Sequence, residues 1–187
     1  MWILFRLALR HSALRELTQP PYGDILWLYA IAGRFGRQGR IVMEAALRIS
    51  EVLGGAKILG RKIHSSFDLA EAVKQGFTFP AFEQVCRKVA LTGTEAIALI
   101  ASSPRTMARR KAQHKRLSVT ESDLLARLAR IYASAEDVFE DEEKARRWLR
   151  KPNRALGGRT PLKALGTDIG ALEVEHVLGR LEHGVFG

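Results

Sequence analysis

Residues 92–121 read TGTEAIALIASSPRTMARRKAQHKRLSVTE, and the fold turns on this stretch. Thr92-Gly-Thr-Glu95 is a capping-box pattern: the Thr hydroxyl accepts a first-turn N–H, and the glutamate reaches back to the cap N–H. It opens a short apolar helix, Ala96 to Ala101. Ser103-Pro104 starts another, with Ser as cap and Pro at the first helical position, where no N–H is needed. Ser118-Val-Thr-Glu121 is a second capping box. It opens a long helix with Leu124, Leu125, Leu128, Ile131 and Tyr132 on one side. Two short helices joined by a tight turn at Ser102-Ser103-Pro104 have the shape of a helix-turn-helix.

The second short helix is chemically distinctive. Met107 is its one inward apolar residue. At about 100° per residue, Arg105, Arg109, Ala112 and Arg116 fall on the opposite face, with Thr106 and Gln113 on one flank. Arginine reads guanine O6 and N7 with a bidentate fork, and glutamine reads adenine. Arg110, Lys111, Lys115 and Arg116 suit phosphate. No acidic residue occurs from Ala101 to Leu117. The face fits the major groove of DNA; the plain alternative is a solvated basic helix.

Working outward, the chain reads as helices from Ser50 onward, without a useful alternating strand pattern. Ser65-Ser66 caps a helix through Leu69, Ala70 and Val73, closed by Gly76. Pro80 opens the next, with Phe82, Val85, Cys86 and Val89 at core spacing. An acidic run, Glu136 to Glu143, precedes Lys144, Arg146, Arg147 and Arg150. That order suits the dipole of a helix starting near Asp141. The expected fold is all-α, in two lobes joined near residue 136 that pack together without a flexible linker.

The last forty residues hold no catalytic constellation. Ala145, Trp148 and Leu149 share an apolar helical face, and Pro152 stops that helix. Asn153, Arg154 and Arg159 lie in a loop with Gly157-Gly158, which permits positive φ. Thr160-Pro161 restarts a helix, and Thr167-Asp168 caps the last one. There Val174, Val177, Leu178 and Leu181 form a buried stripe, and Gly184 ends it. Val185-Phe186 is an apolar pair beyond the last helix. It either folds back on its own core or inserts into a partner.

Composition narrows the function classes. Net charge is +10, which suits an anionic partner such as DNA. The single cysteine, Cys86, reads as a core thiol and permits no internal disulfide, in keeping with a reducing cytoplasm. His64, His114, His176 and His183 have no metal-ligand spacing, and no phosphate loop or nucleophile elbow appears. The reading is a non-enzyme without metal or cofactor. The apolar run Ile25 to Ala32 is far short of the roughly 20 residues a membrane span needs. Residues 1–42 differ in composition: they hold Pro20-Pro21 and a Gly/Arg-rich stretch, Gly33 to Arg40. They read as an extension before a start at Met43, or as a basic arm. The expected organisation is 1–42 extension, 43–135 DNA-binding domain and 136–187 partner-binding domain.

Two sets of motifs carry a family resemblance. Thr94 to Lys111 resembles the Xre-type helix-turn-helix, with Ser102 where many members have glycine in the turn. Trp148-Leu-Arg150, Pro152-Asn153-Arg154-Ala-Leu-Gly-Gly-Arg159-Thr160-Pro161-Leu162 and Leu178-Gly-Arg180-Leu-Glu182-His-Gly184-Val185-Phe186 resemble the Xre/ParS-type toxin-binding domain. Together they cover about residues 50–187 and resemble the antitoxins that partner RES-domain toxins. The resemblance implies an Xre-like helix-turn-helix bundle followed by a small helical toxin-binding domain. It also implies a homodimer that binds a RES toxin, which consumes NAD+, and represses its own operator. The C-terminus of such antitoxins blocks the toxin active site. Carried over, Gly184, Val185 and Phe186 are the plug, Arg180 and Glu182 anchor its approach, and Asn153, Arg154 and Arg159 sit in the typical loop. The alternative is a stand-alone repressor whose C-terminal lobe only dimerises.

Overall fold

The computed structural model describes residues 35–184, with side chains from Met43 onward. Val185 and Phe186, and residues 1–34 with the Pro20-Pro21 pair, lie outside the described residues. Helices follow one another: α1 Phe35–Val52, α2 Gly55–Leu59, α3 Ser66–Gln75, α4 Phe79–Val89, α5 Gly93–Leu99, α6 Pro104–Ala112, α7 Val119–Phe139 and α8 Glu142–Arg150. A 3-10 turn at Arg154–Leu156 leads to α9 Pro161–Ala164 and α10 Asp168–Glu182. No strand occurs among the described residues. Helix α1 runs through residues 42 and 43, where the sequence changes character.

Local chemistry starts each helix from Gly93 onward. Thr92, Ser103, Ser118, Asp141, Asn153, Thr160 and Thr167 each accept a first-turn N–H on a side-chain oxygen. These caps satisfy donors that the helix itself leaves unpaired. Both expected capping boxes, Thr92 with Glu95 and Ser118 with Glu121, are closed in both directions.

Residues from Ile41 onward cluster as one compact unit built around α7. Helices α3 and α4 pack on α7 from one half of the chain, and α8 and α10 from the other. Leu125, Leu128, Ile131 and Tyr132 are buried as the periodicity predicts, while Leu124 is only partly so. Ala129, Ala133 and Ala135 are buried as well. Small side chains there let helices approach α7 on further sides. A single apolar stripe therefore understates how much of α7 is enclosed.

Ion pairs seat α10 on α7. Arg127 pairs with Asp168 at 2.8 Å and Arg130 with Glu175 at 2.7 Å. Gly170 is where α10 meets the end of α9. A Cβ there would lie 2.1 Å from the Ala164 carbonyl oxygen, so only glycine fits. Val174, Val177 and Leu178 are buried, and Leu181 packs at the margin.

Candidate functional site

Two surfaces emerge, one in each half of the compact unit. The first is α6. Its turn with α5 is made by Ala101, which takes the left-handed conformation at φ 52°. Ser102 does not make the turn but anchors it, its hydroxyl donating to Glu121 Oε1 at 2.8 Å. Met107 is buried, as expected, and fixes the inner face of α6. Arg105, Arg109 and Gln113 are exposed, and their side chains have no hydrogen-bond or ion-pair partner among the described residues. Lys115 is likewise exposed just past the helix. Thr106 is half-buried, its hydroxyl bonded to Ser103 Oγ at 2.9 Å.

Arg110, Lys111 and Arg116 are engaged within the fold. Arg110 pairs with Glu121 Oε2 at 2.8 Å and also donates to the Arg116 carbonyl. Lys111 pairs with Glu83 at 2.8 Å and lies over the Phe79 ring, 5.5 Å from its centroid. The expectation that Arg116 shares the outer face of α6 is corrected: the helix ends at Ala112, and His114 at φ 50° turns the chain away. Arg116 Nη1 donates instead to the Gly76 carbonyl at 2.8 Å.

Glu121 is the residue that sequence reasoning placed only as a cap. It is 7% exposed and joins three elements. One oxygen takes the Ser102 hydroxyl from the turn; the other takes Arg110 from α6 and Ser118 N–H at 2.7 Å. Burial pushes its carboxyl pKa up, but the Ser118, Ser102 and Arg110 contacts more than offset this and hold it below the usual range. The angle of α6 is thus set by a buried carboxylate.

The second surface lies at the C-terminal end. Ala145 and Leu149 are fully buried, and Trp148 packs against Phe139 with ring centroids 5.7 Å apart. The loop after α8 is closed on itself. Asn153 N–H donates to the Arg159 carbonyl at 3.0 Å, its side chain takes Ala155 N–H at 2.9 Å, and its carbonyl takes Gly158 N–H at 2.9 Å. Gly157 and Gly158 supply the left-handed turn, at φ 62° and 77°. Asn153 therefore shapes the loop, while Arg154 and Arg159 are exposed. Arg180, Glu182 and Gly184 lie at the end of α10, where Glu182 and Gly184 flank the last turn.

One apolar feature went unread in the sequence. Ile169 is 77% exposed and Leu172 49%, and at helical spacing both share the outer face of α10 with His176 and Arg180. Their offset from the buried Val174 stripe was the available signal.

No group of side chains among the described residues is arranged to hold a metal ion. No helix among them is long and apolar enough to cross a membrane. Cys86 is partly buried on α4, and burial pushes its thiol up to about 11.

Comparison with known proteins finds one family domain over each half of the compact unit. Residues 68–130 match the antitoxin Xre-like helix-turn-helix domain. Residues 134–184 match the antitoxin Xre/MbcA/ParS C-terminal toxin-binding domain. The chain is similar to "Antitoxin Xre" of Yersinia enterocolitica, 34% identical over 119 residues, or 63% of this chain and 80% of that relative. A second relative, "Antitoxin Xre" of Pseudomonas putida, is 34% identical over 123 residues, 66% of this chain and 76% of the relative. "Antitoxin Xre" of Photorhabdus laumondii is 39% identical over 82 residues, covering 43% and 55%.

Proposed function

The chain belongs to the Xre antitoxin family, with a helix-turn-helix domain followed by a toxin-binding domain, and we propose that it neutralises a RES-domain toxin and represses its own operon. The target toxin consumes NAD+, and the antitoxin stops it by occupying its active site rather than by any chemistry of its own. The observation that carries the DNA half is the exposed set Arg105, Arg109, Gln113 and Lys115 around a helix pinned by Met107 and Glu121. Arg105, Arg109, Thr106 and Gln113 face the bases, and Lys115 takes a phosphate. Arg110, Lys111 and Arg116 hold the frame, with any phosphate contact secondary to that. A homodimer presents two such helices to two half-sites of an operator.

In the toxin-binding half, Val185 and Phe186 act as the plug beyond Gly184, and Arg180 and Glu182 anchor its approach. Arg154 and Arg159 project from the closed loop toward the toxin, with Asn153 holding that loop. The exposed Ile169 and Leu172 add apolar area on the same helix as Arg180. Burying Phe186 in a dry pocket contributes about 1.5–3 kcal/mol. Its loss weakens the complex roughly ten- to a hundredfold.

Growth rescue tests the proposal. A RES-domain toxin encoded beside this chain is expressed with the full chain, and separately with a chain ending at His183. Rescue by the full chain alone is the expected result. Equal rescue by both removes the plug. No rescue by either leaves a stand-alone repressor.

A further inference from the structure

A second carboxylate-free stretch lies outside the helix-turn-helix. Between Glu51 and Asp68 the sequence has no acidic residue, and it carries Lys57, Arg61, Lys62 and His64. It precedes the matched domain, which begins at residue 68. The fold ties it, through one short segment, to the other acid-free stretch, the one between Glu95 and Glu121.

The segment Gly76–Phe79 is the bridge. On one side Thr78 Oγ1 donates to the Ile58 carbonyl at 3.2 Å, where α2 packs on α4. On the other side Gly76 accepts from Arg116, and the Phe79 ring lies under Lys111. The loop holding Lys115 is fastened there too, by Leu117 N–H to the Phe77 carbonyl at 2.8 Å. Helix α2 and the trailing end of α6 thus flank one short bonded segment.

The cations on the α2 side are available. Lys57 and Lys62 are exposed and form no ion pair among the described residues. Two carboxylates of the neighbouring helices are paired elsewhere, Glu71 with Lys74 at 2.7 Å and Glu83 with Lys111, and Asp68 takes the His64 N–H at 2.9 Å. Arg61 is half-buried, and its Nη1 has no hydrogen-bond partner among the described residues.

We propose that Lys57 and Lys62, presented by α2 and the turn after it, form a second phosphate-contact surface that extends the DNA footprint beyond the C-terminal end of α6. The surface reads no bases. Its contribution is electrostatic, through counterions released from the DNA backbone. This rests on the DNA-binding reading of α6.

The test is a salt titration of the full chain on random-sequence duplex DNA, with log affinity plotted against log salt. Replacing both Lys57 and Lys62 by Ala is expected to reduce the slope by about two, since each phosphate contact contributes about 0.9. Lys115→Ala is expected to reduce it by about one. An unchanged slope in the double variant, beside a reduced slope in Lys115→Ala, overturns the second surface and leaves α6 standing. If the unaltered chain binds no duplex, the reading of α6 falls and this proposal falls with it. Growth rescue by the double variant is the companion readout. Lost rescue with an unchanged slope assigns these lysines to the toxin and overturns a role on DNA.

Discussion

Helices α6 and α8 are each nine residues long, and each holds an Ala-Arg-Arg triplet, Ala108-Arg109-Arg110 and Ala145-Arg146-Arg147. Most of their arginines meet different fates. In α8, Glu142 and Glu143 fill the first turn, and Arg146 binds both, the former at 2.6 Å. Arg146 Nε also reaches the Lys88 carbonyl at 2.7 Å. Arg150 donates to the carbonyls of Val89 at 3.2 Å and Ala90 at 2.6 Å. In α6 the first turn has no acid, and among the described residues only Arg110 of its arginines is captured, by Glu121 of the next helix. Arg105 and Arg109 stay uncommitted. The lesson is that nearby carboxylates and helix-end carbonyls decide whether an arginine is structural or available, and the residue type alone does not.

The largest expected effect tests the captured arginine. Glu121→Ala strips Arg110 and the Ser102 hydroxyl of their buried partner and is expected to lower unfolding free energy by about 3 kcal/mol. Urea titration measures it; a loss below about 1 kcal/mol, the scale of an exposed pair, would show that the pair does not hold α6. Next comes the uncommitted arginine. Arg109→Ala is expected to cost about 1–3 kcal/mol of operator binding while leaving the urea midpoint in place. Arg147→Ala, its exposed counterpart in α8, should leave operator binding alone. Equal loss from both would erase the distinction between the helices.

A smaller effect sharpens the other side. Arg150→Ala is expected to lower stability by about 1–2 kcal/mol, since two carbonyls at the end of α4 lose a charged donor. Operator affinity should hold once the protein is folded. Protonation of Glu121 gives a finer version of the first test. Its folded pKa is depressed, so its contribution is complete above the ordinary glutamate range and is lost as pH falls through the folded value. Glu121→Gln should flatten the acid limb of the stability profile and leave neutral pH behaviour unaffected by titration. The smallest effect concerns Cys86, whose thiol at about 11 should alkylate slowly at neutral pH in folded protein and quickly in urea.

What is legible in the sequence is mostly local. Ser65, Thr92, Ser103, Ser118, Thr160 and Thr167 each cap the helix that their position predicts, because a cap needs only a few residues of context. Met107 and the Val174 stripe follow from periodicity. What stays hidden depends on residues far apart in the chain. Arg110 finds Glu121 across a loop, and Arg150 finds Val89 and Ala90 some sixty residues away. Arg116 departs from the helical face that periodicity assigns it because nothing near Gln113 signals a stop: α6 ends at Ala112, and the chain turns through a positive φ at His114, which is not a glycine.

The matched domains stop at residue 130 and resume at 134, inside the uninterrupted helix α7. A recombination break in that gap would divide a core shared by α3 and α4 on one side and α8 and α10 on the other. It would also leave the carbonyls at the end of α4 without Arg146 and Arg150. On the proposed reading of the C-terminal half, a change of toxin specificity therefore favours point changes at exposed positions such as Arg154, Arg180 and Ile169, with the two halves inherited as a single piece.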